Sequence, residues 1–262
     1  QKFLNAGADK VAINSAAVNN PKILEGIAKR FGSQCLVLIV DAKRIYHKKK
    51  WEVYTLQGRE KTNVDVIEWI KKGISLGVGE ILVTSIDQDG TLKGYDLELI
   101  KEVSMTQKPM IISTGLCNIK EIDNAFNTAK KYNSNEVALL YCVSSYPSKI
   151  SDFNLENISI LKKRYKCRVG FSDHSKKNIV AQLAVSMGAT IIEKHIAEND
   201  QKRGLDIEFS LKGNEIKKFK EDILTAKHLI GEKYFKRTQN EKKNLIFRRS
   251  IYATKNIKKG EK

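Results

Sequence analysis

The sequence predicts an α/β protein of the (β/α) barrel class, in which buried strands alternate with amphipathic helices. Three observations support this prediction. Seven short apolar runs recur along the chain, helical patterns separate them, and three of the strand–helix units repeat a small glycine signature. Repeated strand–helix alternation produces parallel strands joined by right-handed crossovers.

The seven predicted strands are continuous apolar runs, which are typical of strands buried on both faces of a sheet. They are KVAIN (10–14), CLVLIVDA (35–42), EILVTSI (80–86), PMIISTG (109–115), EVALLYCVS (136–144), RVGFSD (168–173) and TIIEKHI (190–196). A complete barrel has eight strands, so we predict an incomplete barrel. The first residue is Gln rather than Met, which is consistent with a missing N-terminal segment.

Helix and turn signals occupy the segments between these strands. Asn20 and Pro21 begin the helical pattern PKILEGIAKRF, and Asn118 with Glu121 forms a capping-box pattern before IKEIDNAFNTAKKY. The segment 44–62 alternates polar and apolar residues around a turn at Gly58, which predicts a hairpin inserted after the second strand.

The repeated signature occurs in AGADKVAIN, LGVGEILVTS and MGATIIEKH, at residues 6–14, 76–85 and 187–195. In each unit a helical pattern ends at a glycine and an apolar strand begins within about three residues. Such internal similarity favours a barrel over a doubly wound sheet, because every unit of a barrel has the same surroundings.

Composition narrows the class of protein. The formal net charge is +17, but the basic residues are dispersed, which favours a lysine-rich solvated surface over nucleic-acid binding. The chain has no apolar run long enough for a membrane span, and its first residues do not resemble a secretory leader. Its four cysteines are widely spaced without a CxxC pair, which indicates a reduced, cytoplasmic protein.

Polar side chains recur where the predicted strands end. They are Asn14, Asp41, Lys43, Thr84, Asp89, Ser113, Thr114, Ser144, Ser172, Asp173, His174, Glu193 and His195. Because the carboxyl ends of barrel strands form the functional face, we expect a site there.

His174 and His195 are the sharpest pair in this set. Imidazole groups at neighbouring strand ends suit a divalent metal with open coordination positions, and the alternative is two surface histidines without a ligand. Serine and threonine hydroxyls, together with Asn154 near a helix start, suit a phosphate group, to which Lys108 adds a point charge.

From Lys108 onward the chain contains, in this order, the motifs KPMIISTG, LLYCVSSYP, FNLENI, VGFSDHS, GATIIEKHI and RGLDIEFSL. In sequence and order these motifs resemble the aldolase-type TIM barrel of the sialic acid synthases, which also make legionaminic and pseudaminic acids. The segment FRRSIYATKNIKKGE resembles the start of that family's C-terminal antifreeze-like (SAF) domain. We therefore expect a synthase-like half-barrel over 108–231 and a linker into a truncated SAF domain over 232–262.

Residues 5–104 contain AGADKVAINSAAVNNP, RFGSQCLVLIVDAKR and GEILVTSIDQDGTLKGYDLELI, with the predicted hairpin after Asp41. These motifs resemble a different barrel, the cyclase subunit of imidazole glycerol phosphate synthase. We therefore expect a cyclase-like half-barrel segment over 1–107. The chain is thus expected to be a composite, with three cyclase-type strands before four synthase-type strands.

The two resemblances imply roles for individual residues. His174 and His195 match a metal-binding pair for Mn²⁺ (or Mg²⁺). The implied catalytic residues are Asp41, Asp89, Asp173 and Asp206. The implied substrate- and phosphate-binding residues are Asn14, Ser15, Thr84, Gly90, Lys108, Ser113, Thr114, Ser144, Tyr146, Asn154 and Ser172.

Both patterns are incomplete. The synthase strands that carry an acidic residue and a lysine of the site have no counterpart, and neither has the cyclase strand that carries a second catalytic aspartate. Three readings follow. The first is a synthase that condenses phosphoenolpyruvate with an N-acetylated hexosamine to a nonulosonic, sialic-type acid for surface carbohydrate, acting as a possible homodimer. The others are a cyclase-type lyase of histidine biosynthesis and a catalytically weak fusion or fragment.

Overall fold

The computed structural model of the chain describes residues 2–56, 58–88, 94–133, 135–145, 148–202, 206–231 and 235–261. The chain divides into two units, Gln1–Leu229 and Ile230–Lys262. Within the described residues, every helix is too short or too polar to cross a lipid bilayer.

The first unit is built on a nine-stranded sheet. Its strands are β1 (Val11–Ile13), β2 (Leu36–Ile45), β3 (Lys50–Thr55), β4 (Glu60–Asp65), β5 (Glu80–Ser85), β6 (Met110–Ser113), β7 (Val137–Cys142), β8 (Val169–Asp173) and β9 (Ile192–Lys194). Strands β1, β2, β5, β6, β7, β8 and β9 pair in this order and are all parallel. The predicted α/β class with a mostly parallel sheet is therefore confirmed.

Helices alternate with the parallel strands in the first unit. They are α1 (Lys2–Asn5), α2 (Ser15–Asn19), α3 (Lys22–Phe31), α4 (Val66–Ser75), α5 (Leu97–Ser104), α6 (Ile119–Tyr132), α7 (Glu156–Tyr165), α8 (Asn178–Ser186) and α9 (Ile216–Ile230). The second unit contains α10 (Gln239–Lys243). The capping box predicted for α6 is present: Asn118 accepts from the Glu121 N–H at 3.0 Å and donates its own N–H to Glu121 at 2.8 Å. Helix α3 begins one residue later than predicted, so Pro21 is at its N-cap.

The predicted hairpin is also present. β3 and β4 are antiparallel, and β3 pairs with the second half of β2. Trp51 of β3 is buried; its indole donates to Asp96 at 2.8 Å, and the Arg44 guanidinium lies 5.3 Å from its ring. Asp96 also caps α5, so one carboxylate fastens the hairpin to that helix.

The repeated glycines have the same backbone role in all three units. Gly7, Gly77 and Gly188 each lie two residues beyond the last residue of α1, α4 and α8. Their φ angles are +116°, +96° and +101°, values that an L-residue rarely adopts. The following strands begin three or four residues later, so the signature marks the reversal from helix to sheet.

The last predicted strand differs from its prediction. The run 190–196 splits into β9 and a separate β10 (Ile196–Ala197), which pairs with β11 (Leu211–Lys212) in a second small sheet. The backbone carbonyl of His195 accepts from the Leu211 N–H at 2.8 Å. The chain therefore leaves the main sheet at His195.

The apolar core is divided into two large clusters. One contains residues from Ala17 to Met110, and the other contains residues from Ile112 to Ala189. Between β5 and β6 only Ile81 and Met110 are paired in register, whereas β6 and β7 share four such pairs. The boundary between the two core clusters lies close to residue 107, where the sequence is predicted to change from cyclase-like to synthase-like.

The sheet is open between its two ends. Among the described residues, β1 pairs only with β2 and β9 pairs only with β8. Lys220 of α9 forms an ion pair with Asp9, just before β1, at 2.6 Å. Helix α9 therefore lies against the segment before β1, with no strand between them among the described residues.

Candidate functional site

The carboxyl ends of β6, β7, β8 and β9 bring most of the predicted synthase-type residues together. Register pairs place Cys142 beside Ser172 and Ser172 beside Glu193. A Cβ atom added to Gly115, just after β6, would lie 3.5 Å from the Ser144 hydroxyl, so the ends of β6 and β7 are also adjacent. Four neighbouring strands thus contribute polar groups to one edge of the sheet.

His174 and His195 lie at the centre of this cluster. Their ring centroids are 5.5 Å apart. The Phe209 ring meets both imidazoles edge-on, at 5.7 Å from His174 and 5.3 Å from His195. The two imidazoles are therefore close enough to bind one ion between them.

A second group faces the Nδ1 atom of each imidazole. His174 Nδ1 lies 3.3 Å from the Val143 carbonyl oxygen, and His195 Nδ1 lies 3.7 Å from an Asp206 carboxylate oxygen. Carbonyl and carboxylate oxygens accept hydrogen bonds, so the His174 contact suits a protonated Nδ1, which would leave Nε2 as the metal-binding atom. Metal-binding histidines are held in this way. The 3.7 Å between His195 and Asp206 is longer than a hydrogen bond.

Burial lowers the pKa of both histidines below the ordinary value. For His174 the hydrogen bond to Val143 works in the opposite direction, and for His195 the Asp206 carboxylate does so. His174 is 5% exposed, whereas the His195 side chain is 41% exposed, so the effect of burial is clearer for His174. Neutral imidazole is the form that binds metals.

The donor set defines which metal site the chain offers. Within the described residues, no group of three or more His, Cys, Asp or Glu side chains has the geometry to hold an ion. The histidine pair offers two nitrogen donors, so an ion bound there would take its other positions from water or substrate oxygen atoms.

Ser172 and Asp173 have different environments. The Ser172 hydroxyl donates to Glu193 at 2.7 Å and lies 3.4 Å from His174 Nε2. Asp173 is completely buried; one of its oxygens accepts from the Ser175 N–H at 2.8 Å and the other pairs with Lys194 at 3.0 Å. Successive side chains point to opposite faces of a strand. Asp173, predicted to be catalytic, is therefore turned away from Ser172 and has no surface open to a substrate.

The other predicted phosphate-binding residues differ from one another in position and in exposure to solvent. Ser113 is exposed at the end of β6, whereas the buried Thr114 hydroxyl lies 3.4 Å from the Leu140 carbonyl oxygen. Asn154, with a φ angle of +35°, is exposed before α7. Lys108 precedes β6, at the opposite end from Ser113. Five residues of strand span about 16 Å, so the structure does not bring Lys108 to this site. Asp89, Gly90 and Tyr146 are outside the described residues.

The cyclase-type residues form a second, smaller cluster at the ends of β1, β2 and β5. The Asn14 amide donates to Asp41 at 2.8 Å, and Asp41 is in register with Thr84. The Asn14 side-chain oxygen is buried and has no hydrogen-bond partner among the described residues. The Ser15 hydroxyl accepts from the Leu56 N–H at 3.0 Å.

Two residues of the histidine cluster were not predicted from the sequence. Phe209 lies in the motif RGLDIEFSL, whose spacing alone gives no reason for an aromatic ring beside the histidines. Lys194 follows Glu193 in the same predicted strand, and the alternation of strand side chains could have placed it on the face opposite to Glu193.

Solved structures of sugar-acid and polysaccharide biosynthesis proteins share this fold. The chain aligns with N-acetylneuraminic acid (sialic acid) synthetase from Leptospira borgpetersenii serovar Hardjo-bovis, solved in complex with citrate. The alignment covers 94% of this chain and 82% of that chain, with a TM-score of 0.69 and 23% identity. For the spore coat polysaccharide biosynthesis protein spsE of Bacillus subtilis the coverages are 90% and 75%, the TM-score is 0.55 and the identity is 21%. The chain therefore shares the α/β fold of these solved proteins.

The sequence defines the family membership more closely. Residues 90–235 match the NeuB family, and residues 1–138 match the family described as histidine biosynthesis protein. Each match covers more than half of the chain, so the chain belongs to both families, and both resemblances are confirmed. The two matches overlap over residues 90–138.

A curated relative matches part of the chain. The chain is 52% identical over 124 residues to the imidazole glycerol phosphate synthase subunit HisF of Legionella pneumophila. That alignment covers 47% of this chain and 58% of the relative, so the chain spans little more than half of the relative's length.

Proposed function

We propose that the chain carries a synthase-type site for phosphoenolpyruvate, an N-acetylated hexosamine and a divalent metal such as Mn²⁺, serving nonulosonic acid formation for surface carbohydrate. The observation that carries the proposal is the histidine pair. Its rings are 5.5 Å apart, and each Nδ1 faces an oxygen acceptor. With the proton on each Nδ1, the two Nε2 atoms would be the metal-binding atoms, which supports the proposal.

The groups at this edge of the sheet, and Asn154 in the segment between β7 and α7, have proposed tasks. Ser113, Ser144 and Asn154 offer hydroxyl and amide donors to the phosphate. Asp206 orients His195 and offers an acceptor to a sugar hydroxyl. A bound metal would supply Lewis acidity towards the sugar aldehyde. In the overall reaction the enol carbon of phosphoenolpyruvate bonds to the aldehyde carbon, water adds, and phosphate leaves.

We expect this chain to turn over its substrates at close to the background rate. The synthase residues that orient the enol and the sugar have no counterpart here, and losing positioning groups costs orders of magnitude in rate even when binding survives. The test is phosphate release from purified protein with Mn²⁺, phosphoenolpyruvate and N-acetylmannosamine or a diacetamido sugar. A turnover of about 1 s⁻¹, an ordinary value for an enzyme, would contradict the expectation and indicate that cyclase-type residues replace the missing half.

The cyclase-type reading has its own support. Asn14 holds the Asp41 carboxylate at 2.8 Å, which suits a positioned acid or base. General acid–base chemistry of this kind usually uses two such groups, and the resemblance identifies Asp41 as one of them within residues 1–262. We therefore rank this activity second.

The proposal also covers the cellular compartment of the protein, its association with a further domain and its oligomeric state. The four cysteines are free thiols, which supports a reduced, cytoplasmic environment. In the second unit Phe235 and Ile251 are fully exposed, which supports a segment that packs against further protein, as an antifreeze-like domain would. A homodimer also belongs to the proposal.

A further inference from the structure

Asp173 and Lys194 form a buried ion pair directly beside the two histidines. They are register partners on β8 and β9, and their side chains are 0% and 6% exposed. Lys194 Nζ lies 3.0 Å from Asp173 Oδ2 and also donates to the Ser175 carbonyl oxygen. The other Asp173 oxygen accepts from the Ser175 N–H at 2.8 Å. The pair therefore joins β8, β9 and the turn after β8.

The positions of these contacts along the chain relate them to the histidines. His174 lies between Asp173, which belongs to the pair, and Ser175, whose backbone N–H and carbonyl oxygen are both hydrogen-bonded to the pair. His195 follows Lys194 directly, and its carbonyl accepts from the Leu211 N–H at 2.8 Å. The backbone on each side of both imidazoles is consequently fixed by the pair or by the adjoining small sheet.

Stability alone gives little reason to bury such a pair. Removing two charges from water is costly, and replacing a buried ion pair by uncharged residues of similar size is often neutral for stability. What an apolar replacement cannot reproduce is the directional link among Lys194, the Asp173 carboxylate and the Ser175 carbonyl. The pair therefore controls how the carboxyl ends of β8 and β9 are positioned relative to each other.

We propose that the Asp173–Lys194 pair is the positioning device of the histidine site, holding the ends of β8 and β9 in the register that lets both imidazoles bind one ion. The inference rests on the proposed function, because it assigns the pair to that metal site. It makes Asp173 a positioning residue in place of a catalytic one. Loss of the pair should weaken metal binding while leaving the fold intact.

The test uses the full chain and the double variant Asp173→Asn/Lys194→Met, which leaves no charge buried without a partner. The matched control is Lys218→Met/Asp222→Asn, which removes an ion pair of 2.6 Å from α9. Mn²⁺ affinity is measured by the loss of the free-ion signal in electron paramagnetic resonance. We expect about 10–100-fold weaker binding in the first double variant, the range found for groups that orient metal ligands. The control and Lys194→Arg, which keeps the charge, should bind as the wild type does.

A metal-free readout separates this inference from the proposed function. Without metal, the wild type should give nuclear Overhauser contacts between the His174 and His195 rings, and Asp173→Asn/Lys194→Met should lose them while its melting temperature stays close to that of the wild type. Retained ring contacts with unchanged Mn²⁺ affinity would overturn the positioning role. If Asp173→Asn/Lys194→Met and Lys194→Arg both lowered the melting temperature, the pair would serve only the stability of the fold, and the positioning role would be refuted. Wild-type protein that shows ring contacts but binds no Mn²⁺ would refute the proposed metal site and leave the positioning of the rings standing.

Discussion

The variant His174→Ala/His195→Ala is expected to lose Mn²⁺ binding by more than about 100-fold, since groups that merely orient a metal ligand already contribute about 10–100-fold. The imidazoles are the two nitrogen donors of the site, and no other group of metal ligands is present in the described residues. Elemental analysis after dialysis, together with a Mn²⁺ titration, measures the loss.

The remaining two histidines provide the control. His47 and His228 are exposed and lie on other elements, the turn after β2 and α9. The variant His47→Ala/His228→Ala removes the same number of imidazoles and should keep wild-type metal content. Equal metal in all three proteins would mean that the histidine pair is not a metal site.

The variant Phe171→Ala is expected to lower the free energy of unfolding by about 3–5 kcal/mol, the usual cost of removing a buried aromatic side chain. Phe171 is 0% exposed, and its ring lies 6.2 Å from Tyr141 and 5.9 Å from Phe153. It belongs to the second core cluster, directly before Ser172. Chemical denaturation followed by circular dichroism measures the change.

Phe235→Ala is the matched control, because it removes the same ring from a fully exposed position. Its free energy of unfolding should stay within about 0.5 kcal/mol of the wild type, as for most surface substitutions. A Phe171→Ala variant as stable as this control would show that the second cluster is not a packed core.

The sheet was predictable from the sequence because central strands such as β7 and β8 are buried on both faces. A continuous apolar run such as VALLYC is typical of such a strand in a β/α repeat, and the glycines at positive φ just beyond α1, α4 and α8 mark where these helices end. The gathering of Ser144, Ser172, His174 and Glu193 at one edge follows from the common direction of parallel strands. Strand direction also explains the error for Lys108, which precedes its strand and therefore lies at the other edge.

The parts that were not predicted depend on contacts distant in sequence. Asp173 and His174 are adjacent polar residues, and the sequence alone does not say which one a buried lysine on the next strand will pair with. His195 leaves the sheet because its carbonyl pairs with Leu211, sixteen residues later. That pairing is not encoded in the apolar pattern of either segment, and it belongs to the same segment that carries Asp206 and Phe209.

Equilibrium dialysis of phosphoenolpyruvate against the purified chain, with Mn²⁺ or with a chelator, tests the central proposal most directly. The proposal joins the phosphate-binding hydroxyls and the histidine pair in one site. It predicts that about one phosphoenolpyruvate is retained per chain with Mn²⁺, that the chelator largely removes this retention, and that His174→Ala/His195→Ala abolishes it while His47→Ala/His228→Ala does not. Retention that is equal with and without Mn²⁺, or equal in both double variants, would contradict a shared metal and phosphoenolpyruvate site.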